Sequence, residues 1–148
     1  MVSVERVITV QAPLDTVVDY LKDFARTEEW DPGTVSCTRQ DSGPVRMGSS
    51  WRNRSQFKGR ETELDYELVR LEPAHLTFVG RNKTATSTDD LAFTPGPSAD
   101  QTVITYRANI EFHGLARLAG PFLRGEFERL GDEVADKMPR VLGALGSA

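Results

Sequence analysis

At 148 residues, with 39% hydrophobic and 27% charged side chains, the chain has the size and composition of one domain, 1–148, built on a single core. A formal net charge of −4 argues against a general nucleic-acid binder. One cysteine, Cys37, excludes an intrachain disulfide and suits a reducing compartment. No run approaches the roughly 18 apolar residues that insert stably in a bilayer, so a cytoplasmic protein is expected.

Val2, Val4, Val7, Ile8 and Val10 are β-branched and read as a first strand. Ala12-Pro13 stops it. Pro13 can open a short helix, because its missing N–H has no intrahelical partner there; Val17, Val18, Tyr20 and Leu21 give that helix an apolar side. A second short helix is expected over Asp23 to Glu29, anchored by Phe24 and Trp30. Asp31-Pro32-Gly33 should end it: the residue before a proline is pushed out of the helical region, and Pro-Gly favours a turn.

From Thr34 the period becomes two, with Val35, Cys37 and Arg39 alternating with Ser36 and Thr38. Gly43-Pro44 marks a turn. Gly59-Arg60 is read as the two-residue loop of a hairpin. One face then pairs Lys58 with Glu61, Gln56 with Glu63, Arg54 with Asp65 and Arg52 with Glu67. The other pairs Phe57 with Thr62, Ser55 with Leu64, Asn53 with Tyr66 and Trp51 with Leu68. A charged outer face over an apolar inner row suits an antiparallel sheet wetted on one side. Glu72-Pro73-Ala74 turns the chain into a strand carrying Leu76, Phe78 and Gly80. Thr84 to Phe93 is a further strand, and Thr94 to Ser98 a loop. Val103 to Phe112 is the last strand, with Ile104, Tyr106, Ala108, Ile110 and Phe112 on one face. Gly114 leads into a helical turn over Leu115, Ala116, Leu118 and Ala119.

Pro121 to Leu145 reads as a long helix. Leu123, Phe127, Leu130, Val134, Met138, Val141 and Leu145 recur in steps of three and four, over roughly 37 Å at 1.5 Å per residue. The opposite face is charged, with Glu133–Lys137 and Asp136–Arg140 spaced for ion pairs. Pro139 should kink the last turns or shorten the regular helix. A stripe this long needs a sheet across it. The order is strand, two short helices, six more antiparallel strands and a long helix: an α+β fold with a curved sheet of about seven strands. Any gap between sheet and helix would be a mostly apolar cavity.

Several stretches resemble the START-like (SRPBCC) superfamily. Ala12-Pro13-Leu14-Asp15-Thr16-Val17 resembles the start of its first helix, and Phe24 through Trp30-Asp31-Pro32-Gly33 its second helix and exit turn. Gly48-Ser49-Ser50-Trp51-Arg52, Phe93-Thr94-Pro95, Thr102 to Ala108 and Gly114 to Leu118 resemble the polyketide cyclase/dehydrase branch. The resemblance spans nearly the whole chain. It implies the helix-grip fold and a hydrophobic ligand cavity, and little about chemistry.

Strand alternation and the helix stripe nominate Trp30, Trp51, Asn53, Phe57, Tyr66, Phe78, Tyr106, Phe127 and Met138 as ligand-binding residues. Core packing is the competing role for the tryptophans. Asn53, Tyr66 and Tyr106 are expected to face inward, where a polar group needs a partner. In Asp89-Asp90 one carboxylate must point inward in a regular strand; Asp90 and Tyr66 are the candidates for acid/base chemistry, against a bulge or an arginine partner. Arg52, Arg54, Lys58 and Arg60 read as a salt-bridged outer face rather than a nucleic-acid patch. His75, expected exposed, His113 and Cys37 lack metal-ligand spacing, so no metal and no cofactor are expected. The leading expectation is a module that holds a hydrophobic or aromatic small molecule, polyketide-like or lipid-like, between sheet and helix. The alternatives are a cyclase/aromatase or dehydratase acting on a poly-β-keto chain, and a protein-interaction module with a vestigial pocket. Whether the chain is an enzyme, and whether it forms a homodimer, the sequence leaves open.

Overall fold

A computed structural model describes residues 1–57 and 59–146. The expected Lys58–Glu61 pair therefore lies outside the described residues, as does the side chain of Phe57. Seven strands form one antiparallel sheet: β1 (Val2–Val10), β2 (Thr34–Arg39), β3 (Ser50–Phe57), β4 (Arg60–Glu72), β5 (His75–Arg81), β6 (Ala85–Pro95) and β7 (Thr102–Phe112). Their order is β1-β7-β6-β5-β4-β3-β2. Every connection from β2 to β7 is thus between neighbours, and only β1 reaches across the chain to its partner.

Between β1 and β2 lie helix α1 (Leu14–Leu21), a 3-10 turn (Phe24–Arg26) and the single turn α2 (Thr27–Trp30). The helix expected over Asp23 to Glu29 is therefore split. Asp23 explains the break: its carboxylate accepts the Ala25 N–H at 3.0 Å and the Trp51 indole N–H at 3.1 Å, which tightens the first turn and ties it to β3. Thr27 is fully buried and donates to the Phe24 carbonyl at 2.8 Å. The Asp31-Pro32-Gly33 exit is held by Asp31, which accepts from Gly33 N–H at 2.9 Å and from the Thr34 hydroxyl at 3.1 Å.

The β3–β4 hairpin keeps the expected faces but not the expected pairs. Trp51 lies opposite Tyr66, Asn53 opposite Leu64 and Arg52 opposite Asp65, and Phe57–Arg60 closes the ladder. Each β3 residue therefore meets a partner two positions earlier than expected; Arg52, for instance, meets 65 rather than 67. Arg60 belongs to β4, not to the loop, and Gly59 sits before it at φ 76. A two-residue loop demands positive φ, which glycine adopts without strain. A slip of two leaves every side chain on its original face. The outer face forms ion pairs between Arg52 and Asp65, directly opposite at 3.1 Å, and between Arg54 and Glu61, on the diagonal at 2.8 Å.

The long helix α3 runs from Gly120 to Gly146, after a 3-10 turn over Gly114–Ala119 whose Leu115 and Leu118 are exposed. It continues unshortened through Pro139. Met138 and Leu142, fully buried on either side, pin this stretch to the core, which offsets the hydrogen bond that proline forfeits. Asp136 and Arg140 form their ion pair. Gly131 lets α3 approach β1: a Cβ there would stand 2.6 Å from Val4 Cγ2. Arg6 clamps the same contact, donating to Glu128 at 2.8 Å and Asp132 at 3.0 Å.

Candidate functional site

The core is solid at one end and hollow at the other. Phe24, Trp30, Trp51, Phe78, Leu68, Leu76, Leu91, Met138 and Leu142 are all within 2% of complete burial. Phe24 lies 4.5 Å from Phe78 and 6.1 Å from Trp51, ring centre to ring centre. Beyond them, toward the N-terminal half of α3, a cavity of about 550 Å³ opens between helix and sheet. That is within the size range of small-molecule sites.

Leu123, Phe127, Leu130, Gly131 and Val134 form its helix wall; Val4, Leu64, Ala85, Ala108, Ile110 and Phe112 form most of its sheet wall. Gln56, Arg60, Thr62, Asn82 and Thr84 are exposed and make a polar rim. Arg60 has no ion pair among the described residues. The deep polar groups are Asp31, Asn53, Tyr66, Ser87, Asp89 and Tyr106.

Register explains how these groups come together. Tyr66 on β4 faces Gly80 on β5, which faces Ser87 on β6. A Cβ on Gly80 would stand 2.6 Å from the Tyr66 ring. The ring thus lies over bare backbone, and its hydroxyl reaches Ser87. In the next row Asp89 sits between Phe78 and Ala108, neither of which offers a hydrogen bond. Asp89 is only 6% exposed, and no hydrogen bond reaches its carboxyl among the described residues. Burial, with Asp31 adding repulsion, pushes Asp89 up to about 8. Burial also raises Asp31, against the pull of its Gly33 and Thr34 bonds. Tyr66 and Tyr106 are raised well above the usual phenol range by burial and then by Asp89. Burial thus favours the neutral, proton-donating forms of Asp89, Tyr66 and Tyr106 deep in the cavity.

Of the residues nominated from sequence, Asn53, Tyr66, Tyr106 and Phe127 lie in the cavity wall. The Asn53 amide donates to the Thr34 hydroxyl at 3.2 Å and the Thr27 hydroxyl at 3.4 Å, bracing β3 against the α2 region. Trp30, Trp51, Phe78 and Met138 are instead in the solid part of the core. The side chain of Phe57 is outside the described set. Asp90 points to the outer face. There it accepts from the Thr77 hydroxyl and bonds His75 Nε2, each at 2.7 Å, so His75 is half-buried rather than exposed. Partial burial works against ionisation of Asp90, but those two bonds hold it below the usual carboxylate range. Asp89 is the inward member of the pair. Leu91 and Phe93, two and four positions on, carried the signal: alternation puts odd-numbered β6 residues inside. Gly80, which makes room for Tyr66, had no signal until the register was known.

A family model described as polyketide cyclase / dehydrase and lipid transport matches residues 1–143. The chain belongs to that family. No curated protein matches it in sequence. Among solved structures it resembles a START superfamily protein from Mycobacterium smegmatis, with 14% identity and a TM-score of 0.79 over 97% of this chain and 98% of the other. It also resembles a Thermus thermophilus protein, TTHA0849, with 14% identity, a TM-score of 0.76 and 99% of each chain covered. The Zhui aromatase/cyclase from Streptomyces sp. R1128 shows 14% identity and a TM-score of 0.73 over 98% of this chain and 93% of its own. At that identity the likeness is one of fold, the helix-grip arrangement of sheet and terminal helix. Among the described residues no helix is long and apolar enough to cross a membrane.

Proposed function

We propose that this protein binds a hydrophobic, largely aromatic small molecule in the cavity between α3 and the sheet. The observation that carries the reading is the cavity itself: about 550 Å³, walled by leucine, phenylalanine, valine and alanine, with its few polar groups gathered deep inside and at the rim. Removing apolar ligand surface from water there gains roughly 25 cal/mol per Å². The family description, which joins cyclase, dehydrase and lipid transport, supports a cavity put to use on greasy molecules.

Filling the space is the direct test. Ala108→Trp places an indole where the ligand would sit. Binding of N-phenyl-1-naphthylamine, read by fluorescence, should be saturable in the native protein and lost in the variant while the thermal transition persists. Unchanged probe binding in Ala108→Trp would sink the reading. Native mass spectrometry of protein from its own host would then identify a retained ligand by mass. Trp51→Ala is a poor test of binding, since Trp51 is fully buried outside the cavity.

One observation favours a second reading, cyclisation or dehydration: a titratable carboxyl, Asp89, stands inside the cavity rather than outside it. Fixed beside a keto chain, it could move the proton that an aldol or dehydration step requires. Asp89→Asn should then abolish turnover of a poly-β-keto substrate without preventing its binding. Full activity in that variant removes Asp89 from any such step.

A further inference from the structure

The end of the molecule where the cavity opens also carries its most exposed large apolar side chains. We propose that Leu115, Leu118 and Phe122, flanked by Arg117 and Arg124, dock this end on the surface of an anionic lipid bilayer, with the cavity mouth beside the membrane. Docking of this kind needs no spanning segment.

The first observation is an uncovered stripe. Leu115 is 88% exposed, Leu118 66% and Phe122 82%. Leu115 and Leu118 are three residues apart in the 3-10 turn, so they line up along one edge. Phe122, four further on, continues that line into the first turn of α3. Leu123, Phe127 and Leu130 meanwhile face the cavity. The start of α3 is thus apolar on an inner and an outer side, a pattern that normally means cover on both. Met1, also exposed, joins this surface through its neighbour Val2, whose Cγ2 would stand 3.6 Å from a Cβ on Gly120.

The second observation is where the stripe sits. The His113 N–H donates to the Thr84 carbonyl at 2.8 Å, and His113 Nε2 bonds the Thr86 hydroxyl at 2.8 Å. Thr84 belongs to the cavity rim, and Phe112 and Leu123, on either side of the stripe in sequence, line the cavity. The stripe is therefore anchored to the mouth.

The third is charge. The chain is acidic overall, yet residues 113–125 hold Arg117 and Arg124 and no acid. Both arginines are exposed, and neither forms an ion pair among the described residues. The nearest acids in sequence are Glu111 and Glu126, and Glu126 is engaged by Arg129. The first turn of a helix favours acidic side chains, because it is the positive end of the helix dipole. The first turn of α3 has none, and Arg124 follows it. Arg60 adds a further unpaired cation at the rim. Charge and shape together select a bilayer. Side chains standing out from a helical turn suit insertion among lipid chains, while arginines stay at headgroup level with their stems along the apolar boundary. Anionic headgroups complement both the arginines and the acid-free helix start.

The test sediments the protein with vesicles of phosphatidylcholine and phosphatidylglycerol in equal parts, and with phosphatidylcholine alone. Native protein should bind the anionic vesicles at least about tenfold more tightly than the neutral ones, and should lose most of that preference in about 0.5 M salt. Arg117→Gln and Arg124→Gln should each weaken anionic binding about fivefold. Leu115→Ser and Phe122→Ser should weaken it at least as much, with the thermal transition in place because both side chains are exposed. Met47→Ser removes an exposed apolar side chain elsewhere and should bind as the native protein does. In Phe122→Trp, vesicles should shift the added indole emission to the blue, and lipid with brominated chains should quench it. No binding to anionic vesicles overturns the proposal, as does binding that Leu115→Ser and Phe122→Ser leave unchanged. A native dimer that Phe122→Ser dissociates overturns it in favour of a second copy covering the stripe. Binding of N-phenyl-1-naphthylamine should be kept in every stripe variant, so the docking can fail while the cavity reading stands.

Discussion

Gly80 shows how much rests on one missing side chain. Its hydrogen leaves room for the Tyr66 ring, 2.6 Å from where a Cβ would be. Gly80→Ala should displace that ring, break its reach to Ser87, and cost about 1–3 kcal/mol of stability, as overpacking usually does. Gly125→Ala is the control, since a Cβ there meets nothing; it should be neutral or stabilising by up to about 1 kcal/mol through helix propensity. Chemical denaturation of both variants checks the pair. Asp89 makes a second prediction at this scale. Its carboxyl titrates near 4 when unfolded and at about 8 when folded. Between those values the folded state holds the extra proton, so this group's contribution to stability is full below pH 4 and is lost as pH rises through 8. The slope approaches about 1.4 kcal/mol per pH unit. Native protein should therefore lose stability relative to Asp89→Asn between pH 5 and pH 8, as measured by urea unfolding. A difference that stays constant with pH would show that Asp89 is ionised in the fold.

Among the elements, α3 has two characters. Its C-terminal half buries Val134, Met138 and Leu142 against the core, whereas Leu123, Phe127 and Leu130 are only half-buried along the cavity. Met138→Ala should cost about 2–5 kcal/mol, the range for emptying a filled site. Phe127→Ala should cost distinctly less and weaken binding of an aromatic probe instead. Hydrogen exchange should be faster in residues 121–130 than in residues 134–142, and should slow in the first group when a ligand fills the cavity. The heptad-like stripe made α3 readable from sequence, because its period depends on local geometry alone. The division of the stripe into core and cavity wall was not readable. It depends on which sheet residues are too small to meet the helix, and Ala85, Ala108 and Gly131 acquire that meaning only once the strands are in place. The hairpin register illustrates the same limit. Alternation told inside from outside, but a shift of two preserves alternation, so it could not choose between the two ladders. Likewise, alternation could have chosen Asp89 over Asp90, whereas the apolar setting of Asp89 emerges only from its neighbours Phe78 and Ala108.

For the molecule as a whole, the sheet order separates two kinds of pairing. From β2 to β7 each strand lies beside the next in sequence, but β1 lies beside β7, with Val2 against Ile110 and Val10 against Thr102. β1 is thus matched to the last strand of the meander, roughly a hundred residues further along the chain. Until that match is made, its valines have no home and α3 has no wall to rest on, since Gly131 and Arg6 join helix to this same strand. Assembly should accordingly resemble the buckling of a belt: a meander that can zip locally, then one slow fastening that creates the interior at a stroke. Such distant pairing places refolding in the millisecond-to-second range typical of sheet-rich topologies, and the hollow can receive a guest only after the buckle is shut.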